Sequence, residues 1–208
     1  MADSSASSGR GPLALSDVLD TRAYERERAA FRAEVMALKR LRRVAIGPLV
    51  TVVFENRTTM RFQIQEMARA ERMTTDDQIQ AELDVYNPLI PGPGELSLTM
   101  FIELTSEGEL REWLPKLVGV ERALELRLGE AAAGATPEIV PVVVDPAHEA
   151  QLTREEVTAS VHYVRFALDA GQQGRFVEGP ASLVLDHPAY RHEAALSEAT
   201  RRSLASDW

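Results

Sequence analysis

The chain has 208 residues, of which 45% are apolar and 26% are charged, a composition that is typical of a soluble globular domain and excludes wholesale disorder. Its formal net charge of −9 argues against general binding to nucleic-acid backbones, which requires a basic surface. The absence of cysteine excludes disulfides, thiolate metal sites, iron–sulfur ligation and cysteine nucleophiles in this chain.

The first residues, MADSSASSGRGP, are rich in Ser and Gly and lack the apolar stretch of a signal peptide. The longest apolar runs, such as Val140–Val144, are far too short to cross a bilayer. We therefore expect a cytoplasmic protein with no membrane partner. We also expect residues 1–13 to form a flexible leader and residues 14–208 to form a single domain.

Three helices are predicted in the first half of the chain. The first spans about residues 22–43, because its apolar residues recur on one stripe: Tyr24, Phe31, Val35 and Leu38. Its basic end, KRLRR, complements the carbonyl end of the helix dipole. The second spans about residues 58–73 and has Asn56 or Thr58 available as its cap. The third follows the capping stretch Thr74–Asp77.

A strand, VAIGPLVTVVFEN, separates the first two helices, and its Gly47-Pro48 pair marks a bulge or an edge. Further strands, mostly with one buried and one solvated face, are predicted at ELSLTMFIEL, RALELRLGE, EIVPVVVD, ASVHYVRFAL and ASLVLDHP. A helix is an alternative for ASVHYVRFAL. Short helices are predicted after Ser106, after Thr153 and just before ASLVLDHP, and residues 193–205 are predicted to be helical. The predicted fold is α+β, a single domain with a largely antiparallel sheet covered by helices.

Four stretches carry a resemblance to a known family: KRLRRVAIGPLVTVVFENRTTMRFQIQEMARAE, YNPLIP, VHYVRFAL and DHPAY. In this combination and order the chain resembles an uncharacterised bacterial family, the domain of unknown function 3501, from about Leu15 to its C-terminal end. The motif around Phe54–Arg57, FENR, is quite specific to that family.

The resemblance implies a single domain of about this length. It also implies that genes for such proteins are often found near those for rubrerythrin-like di-iron proteins and iron–sulfur oxidoreductase subunits. That association points to redox or oxidative-stress biology. The resemblance assigns no reaction and no catalytic residue, so none is carried over.

The FENR junction and the helix after it hold the densest set of candidate site residues: Glu55, Asn56, Arg57, Arg61, Gln63, Glu66 and Glu71. On a helical wheel Glu71 falls within the apolar stripe, whereas Glu66 falls on the opposite face. A buried carboxylate requires a partner, and Arg28, Arg43 or Arg57 could supply it. The junction is interpreted either as a buried salt-bridge network or as a functional pocket at the end of the strand.

A metal site in a chain without cysteine would need His together with Asp or Glu. The candidate ligands are Glu66, Glu71, His162, His187 and His192. The Glu-x-x-His motif of di-iron bundles and the HExxH motif are absent, as are the P-loop, GxGxxG and GxSxG motifs. No cofactor is predicted, and a bound metal ion stays open as an alternative. His187-Pro188 is expected to end a strand in a rigid turn.

Three hypotheses follow, and whether the protein is an enzyme stays open. We prefer a non-enzymatic accessory or interaction protein of a bacterial redox or oxidative-stress system, with a redox protein as partner and a homo-oligomeric state. The alternative is a metal-dependent enzyme or metal-binding protein, which requires three or more of these residues to converge: Glu55, Glu66, Glu71, Glu82, His162, His187 and His192. A minor alternative, an anion or small-ligand binder, requires an open pocket lined by Arg57 and Arg61.

Overall fold

Six helices lie in the part of the chain that the structure, a computed structural model, describes: residues 11–129, 136–144 and 157–208. They are α1 (Thr21–Arg42), α2 (Arg57–Ala70), α3 (Asp76–Tyr86), α4 (Glu107–Lys116), α5 (Ala170–Glu178) and α6 (Glu198–Ala205). Short 3-10 helices cover Leu15–Asp17, Asn87–Leu89 and Val120–Ala123. None of the described helices is both long and apolar enough to cross a membrane. The predicted turn of helix at Thr153 lies outside the described residues.

A polar side chain accepts a backbone N–H at the start of each helix: Asp20, Asn56, Thr75, Ser106, Asp169 and Ser197. Asn56, and not Thr58, is therefore the cap of α2. Thr75 caps α3 within the predicted stretch. The predicted helix after Ser106 is confirmed, since α4 begins at the next residue.

Nine strands are described, and all paired neighbours run antiparallel. They are β1 (Arg43–Ile46), β2 (Val50–Glu55), β3 (Glu95–Ile102), β4 (Leu124–Leu128), β5 (Glu138–Pro141), β6 (Val143–Val144), β7 (Val161–Ala167), β8 (Ala181–His187) and β9 (Tyr190–Ala195). Sheet A has the order β1-β2-β3-β7-β6, and sheet B has the order β5-β4-β8-β9. The α+β class is confirmed, and the strands form two sheets where one was expected.

Two predicted elements differ from the structure. The segment VAIGPLVTVVFEN is a hairpin of β1 and β2, because Gly47 adopts a φ of 73° that reverses the chain. The segment 193–205 is only partly helical. The turn after His187 sends the chain back beside β8 as β9, so pairing with β8 overrides helix propensity there, and α6 begins only at Glu198. The expected turn at His187-Pro188 is confirmed.

The main core lies between the two sheets. Alternate residues of β2 and β3, such as Phe54 and Met100, point towards sheet B and are fully buried. Leu126 and Leu183 meet them from sheet B. The run EIVPVVVD contributes one strand to each sheet, β5 and β6, and therefore passes from one layer to the other.

A second, smaller core lies on the other face of sheet A, beneath α2 and α3. Met60, Ile64 and Leu83 from the helices pack there with Tyr163 of β7. Leu13, which the sequence places in the leader, is buried in the same cluster and exchanges hydrogen bonds with the side chain of Asn87. Residues 1–10 of the predicted leader lie outside the described residues.

One side chain joins the edges of the two sheets. The Tyr190 hydroxyl of β9 donates to the carbonyl oxygen of Ile46 at 2.7 Å and accepts from the N–H groups of Leu49 at 2.9 Å and Val50 at 3.3 Å. A Cβ atom on Gly47 would lie 2.6 Å from this hydroxyl oxygen. The hairpin turn of sheet A is therefore fastened to the outermost strand of sheet B.

Candidate functional site

Glu55, the last residue of β2, lies on the helix-covered face of sheet A and is 4% exposed. Its Oε1 accepts a hydrogen bond of 2.9 Å from the Thr99 hydroxyl, whereas its buried Oε2 has no hydrogen-bond partner. Lys39 Nζ of α1 lies 3.9 Å from that oxygen and supplies the compensating charge. Glu55 thus links α1 to the sheet.

Asn56 connects three chain segments. Its Oδ1 caps α2 by accepting from the Thr59 N–H at 3.0 Å, and its Nδ2 donates to Asp207 Oδ1 at 3.0 Å. Arg42, 1% exposed at the end of α1, donates to both carboxylate oxygens of Asp207 at 2.5 and 3.1 Å. Its Nη2 also donates to the Ser203 carbonyl oxygen at 2.5 Å. The junction therefore ties the ends of α1 and α6 to the start of α2.

Arg57 and Arg61 hold the segment that precedes α1. Arg57 pairs with Asp17 at 2.8 Å and donates to the Gly11 carbonyl oxygen at 3.2 Å. Arg61 donates to the Asp17 carbonyl oxygen at 2.9 Å, and its guanidinium carbon lies 5.0 Å from the centroid of the Phe31 ring. Both guanidinium groups are thus engaged within the chain.

Glu66 clamps α1 to α2. Arg28 donates to both of its carboxylate oxygens at 2.7 Å, and the Tyr24 hydroxyl donates to Oε1 at 2.6 Å. The hydrogen bonds from Arg28 and Tyr24 outweigh the effect of burial and lower the pKa of Glu66 to about 2. Burial, followed by the bond to Glu66, raises the pKa of Tyr24.

The predicted burial of Glu71 is wrong. Helix α2 ends at Ala70, and Glu71 is its exposed C-cap, after which Arg72 turns the chain with a φ of 55°. The helical wheel therefore does not extend to Glu71. Arg28 pairs with Glu66, on the face predicted to be distant from the core, because α2 packs against α1 there as well. That face also buries Phe62, whose ring meets Phe31 edge-on at 5.7 Å between centroids.

The other proposed partners of Glu71 are engaged elsewhere. Arg43 pairs with Glu103 at 3.1 Å, and Arg57 pairs with Asp17. Gln63, the remaining candidate of the junction, donates a long hydrogen bond of 3.4 Å to the Tyr86 hydroxyl of α3. Six of the seven junction residues therefore bind groups on other segments, and the seventh, Glu71, is exposed.

The three candidate histidines lie in different parts of the fold. His162 is buried between the sheets, with Nδ1 3.8 Å from Glu121 Oε2. His187 ends β8 and its Nε2 lies 3.2 Å from the Val118 carbonyl oxygen. His192 is exposed, and its ring packs at a tilt against that of Tyr190, with centroids 4.4 Å apart.

No convergence of metal ligands occurs in the described ranges, where no three His, Asp or Glu side chains lie close enough to hold one ion. All seven residues on which the metal hypothesis depends are within those ranges: Glu55, Glu66, Glu71, Glu82, His162, His187 and His192. The geometric condition set for that hypothesis is therefore not met by these residues. Burial, with a contribution from the charge of Glu71, raises the pKa of Glu82.

An open cleft of about 420 Å³ lies beside the Glu66 clamp, between the start of α1, the end of α2 and the start of α3. Apolar side chains, among them Leu15, Met73 and Ile79, line it together with polar groups. Of its polar side chains, Tyr24 and Gln65 are 1% exposed. Gln65 is bonded to the N–H of Leu19 at 2.6 Å and to its carbonyl oxygen at 3.1 Å.

None of the seven junction residues lines this cleft, and its arginines are Arg22 and Arg69. The pocket that the anion-binding hypothesis requires at Arg57 and Arg61 is therefore not this one. Sequence reasoning also missed Tyr24 and Gln65 as cleft residues. The periodicity assigned Tyr24 to the core, correctly, but no local signal indicates which polar atom its hydroxyl reaches across the helix interface.

The comparisons with known proteins agree with this fold. The model of the family described as "Protein of unknown function (DUF3501)" matches residues 12–208. A crystal structure of a novel protein of unknown function from Burkholderia pseudomallei K96243 superimposes with a TM-score of 0.82 and 36% sequence identity, over 94% of this chain and 98% of that chain. No curated protein matches. This chain belongs to the DUF3501 family.

Proposed function

We propose that this protein is a non-enzymatic accessory protein of a bacterial redox or oxidative-stress system, and that it binds its partner through the cleft between α1, α2 and α3. The observation that carries the proposal is the bonding of the buried polar side chains in the cleft. The Tyr24 hydroxyl and the Gln65 amide each hydrogen-bond within the chain already. Such a lining favours recognition by shape and apolar contact.

The distribution of the junction residues supports a binding role over catalysis. Charged groups among them bind residues of other segments, as Glu66 binds Arg28 at 2.7 Å, and so position the walls of the cleft. A catalytic acid or base would instead need a free proton-exchanging group beside a pocket.

The redox setting is supported by the family resemblance and its expected gene neighbours, and the partner class we propose is a rubrerythrin-like di-iron protein. A cytoplasmic location and self-association into a homo-oligomer belong to the same proposal.

The test is association with the rubrerythrin-like protein of the same bacterium, measured by biolayer interferometry. Leu15→Glu places a charge in the cleft at a position that is already 38% exposed, and we expect it to weaken binding at least about tenfold. Leu41→Glu is the matched control, because Leu41 is 47% exposed and does not line the cleft. Equal affinities for the two variants would contradict the cleft as the binding surface.

Elemental analysis of protein purified without chelators tests the alternative. We expect less than stoichiometric iron, manganese or zinc per chain. A near-stoichiometric metal content that survives dialysis would overturn the non-enzymatic proposal and direct attention to the Glu and His residues.

A further inference from the structure

Residues 13–19, which precede α1, form a strap that lies on α2 and α3. The strap contains one 3-10 turn, Leu15–Asp17, between extended residues. Leu13 is 4% exposed, and its side chain fills an apolar socket between Met60 of α2 and Leu83 of α3. The strap therefore occupies a groove between these two helices.

Two amide side chains hold the backbone of the strap. Asn87 accepts from the Leu13 N–H at 2.7 Å and donates to the Leu13 carbonyl oxygen at 2.9 Å. Gln65 of α2 makes the same two bonds to Leu19, at 2.6 and 3.1 Å. Each amide thus satisfies the donor and the acceptor of one residue, as a neighbouring strand would. These bonds do not depend on which side chain the held residue carries.

Two arginines of α2 add a site for a carboxylate. Arg57 pairs with Asp17 at 2.8 Å, and Arg61 donates to the Asp17 carbonyl oxygen at 2.9 Å. The Asp17 carboxylate also accepts from the Ala14 N–H at 2.8 Å and so closes the turn of the strap. Arg57, Arg61 and Gln65 are spaced four residues apart and therefore share one face of α2.

The groove recognises only some of the strap's side chains. The socket holds Leu13 and Arg57 holds Asp17, whereas the three residues between them, 14–16, are exposed. Where a groove binds a chain through its backbone, the side-chain pockets supply the specificity. Any segment with the pattern Leu-x-x-x-Asp would make the same contacts.

We propose that the groove beneath the strap is a binding site for a segment of another protein, with an apolar residue followed four positions later by an acidic one, and that the strap is its built-in competitor. A second copy of this chain is a poorer ligand. Its strap already makes these contacts in its own groove and gains none by exchange, whereas a segment without a groove of its own gains all of them.

Displacement of the strap also changes the cleft. Leu15, Val18 and Leu19 belong to the strap and line the cleft. A segment that takes the groove therefore removes this wall, and a ligand held in the cleft would be released. The groove is thus a second interaction surface, whose occupation opposes binding at the first.

The probe for the groove is a fluorescent synthetic peptide with the sequence of residues 11–20, GPLALSDVLD, and its binding to the full chain is measured by fluorescence anisotropy. In the wild type the strap competes, so only molecules with an open groove bind the peptide. Leu13→Ala removes the apolar anchor of the strap, and we expect it to bind the peptide at least about tenfold more tightly than the wild type. The matched control is Leu110→Ala on α4, which removes a leucine that is 36% exposed and should leave the affinity unchanged.

A second peptide, with Ala at the position that corresponds to Leu13, tests the socket. We expect it to bind the Leu13→Ala protein at least about tenfold more weakly than the unchanged peptide. Equal affinities of the wild type and Leu13→Ala for the unchanged peptide would overturn the proposal, as would equal affinities of the two peptides or a lack of binding to Leu13→Ala.

If Leu13→Ala does not fold, Asp17→Asn takes its place. This variant loses the ion pair with Arg57 but keeps an oxygen that accepts from the Ala14 N–H. We expect it to bind the unchanged peptide about threefold more tightly than the wild type, and an unchanged affinity would contradict the competition.

Size-exclusion chromatography distinguishes a second copy from another protein. A wild-type dimer that dissociates in Leu13→Ala would mean that the groove holds the strap of a second copy, and would overturn the proposed ligand. The peptide is the ligand in these measurements, so their result does not depend on whether the rubrerythrin-like protein binds the cleft.

Discussion

The outward faces of the two sheets carry similar polar residues in different surroundings. On sheet A, Glu55, Ser97 and Thr99 lie beneath the helices and are 5% exposed or less. On sheet B, Glu125 and Arg127 form an ion pair whose side chains are 28% and 30% exposed. The polar residues of the alternating pattern thus have different surroundings in the two sheets. In sheet B they contact solvent, whereas in sheet A they are buried beneath the helices.

This difference indicates where charge matters for stability. An ion pair that water reaches contributes little, because solvent already satisfies both partners. A pair or network beneath the helices has lost that solvent, so each group depends on its partner. We therefore expect substitutions in the helix layer to have much larger effects than matched substitutions on sheet B.

The largest effect is expected for Arg42→Ala, which removes the buried guanidinium that binds Asp207. We expect it to lower the free energy of unfolding by about 3–5 kcal/mol, because it leaves the carboxylate without its counter-charge. Arg127→Ala, on the outward face of sheet B, should cost no more than about 1 kcal/mol. Urea unfolding of both variants measures the difference. Similar losses would show that the helix layer is as well solvated as sheet B.

A smaller effect is expected at the seam between the sheets. Gly47→Ala should destabilise the protein by about 1–3 kcal/mol, since Gly47 has a φ of 73° and a methyl group there would meet the Tyr190 hydroxyl. The matched control is Gly174→Ala in α5, where a Cβ atom meets nothing within 4 Å. We expect that variant to be stabilised by about 0.5–1 kcal/mol. Thermal unfolding measures both, and a stable Gly47→Ala would mean that the sheet edges are loosely joined.

The smallest of the three effects is expected for Glu66→Gln, about 1–2 kcal/mol at neutral pH, because the clamp is partly open to water. The pKa of Glu66 falls from its ordinary value of 4.5 to about 2. Its contribution to stability is therefore complete above about pH 4.5 and is lost as the pH falls towards 2. Unfolding measured from pH 6 to pH 2 should be less acid-sensitive in the variant.

Glu125→Gln provides the comparison on sheet B, since its carboxylate is about as exposed and binds a single arginine, Arg127, among the described residues. We expect it to change stability by less than about 0.5 kcal/mol across the same pH range. A larger change than in Glu66→Gln would mean that the bidentate bond from Arg28 to Glu66 stabilises the protein no more than the ion pair on sheet B does.

Local patterns in the sequence predicted most of the fold. The stripe of α1 and the alternation of β3, β4 and β8 identify these elements, because each depends on residues close in the chain. The hairpin at Gly47 and the strand β9 were missed. Both depend on pairing with a neighbouring strand, and a single sequence does not indicate which strand that is.

The candidate site was less predictable. The concentration of charge at the FENR junction was recognised, but its partners were not. Asn56 binds Asp207, which follows α6, and Asp207 binds Arg42 at the end of α1, so both partners come from distant parts of the chain. The position of Glu71 was extrapolated from a helix that ends one residue earlier. Glu121 was not predicted to lie beside His162, because no sequence spacing relates it to a residue on a distant strand.

The Tyr190 hydroxyl has a consequence for the motions of the protein. It donates one hydrogen bond and accepts two, which is its full bonding capacity, and it holds the backbone of a surface turn. The amide hydrogens of Leu49 and Val50 should therefore exchange with solvent deuterium on the slow timescale of the sheet interior. Opening that turn requires the two sheets to separate at this edge, so its exchange rate reports how often the sandwich itself opens.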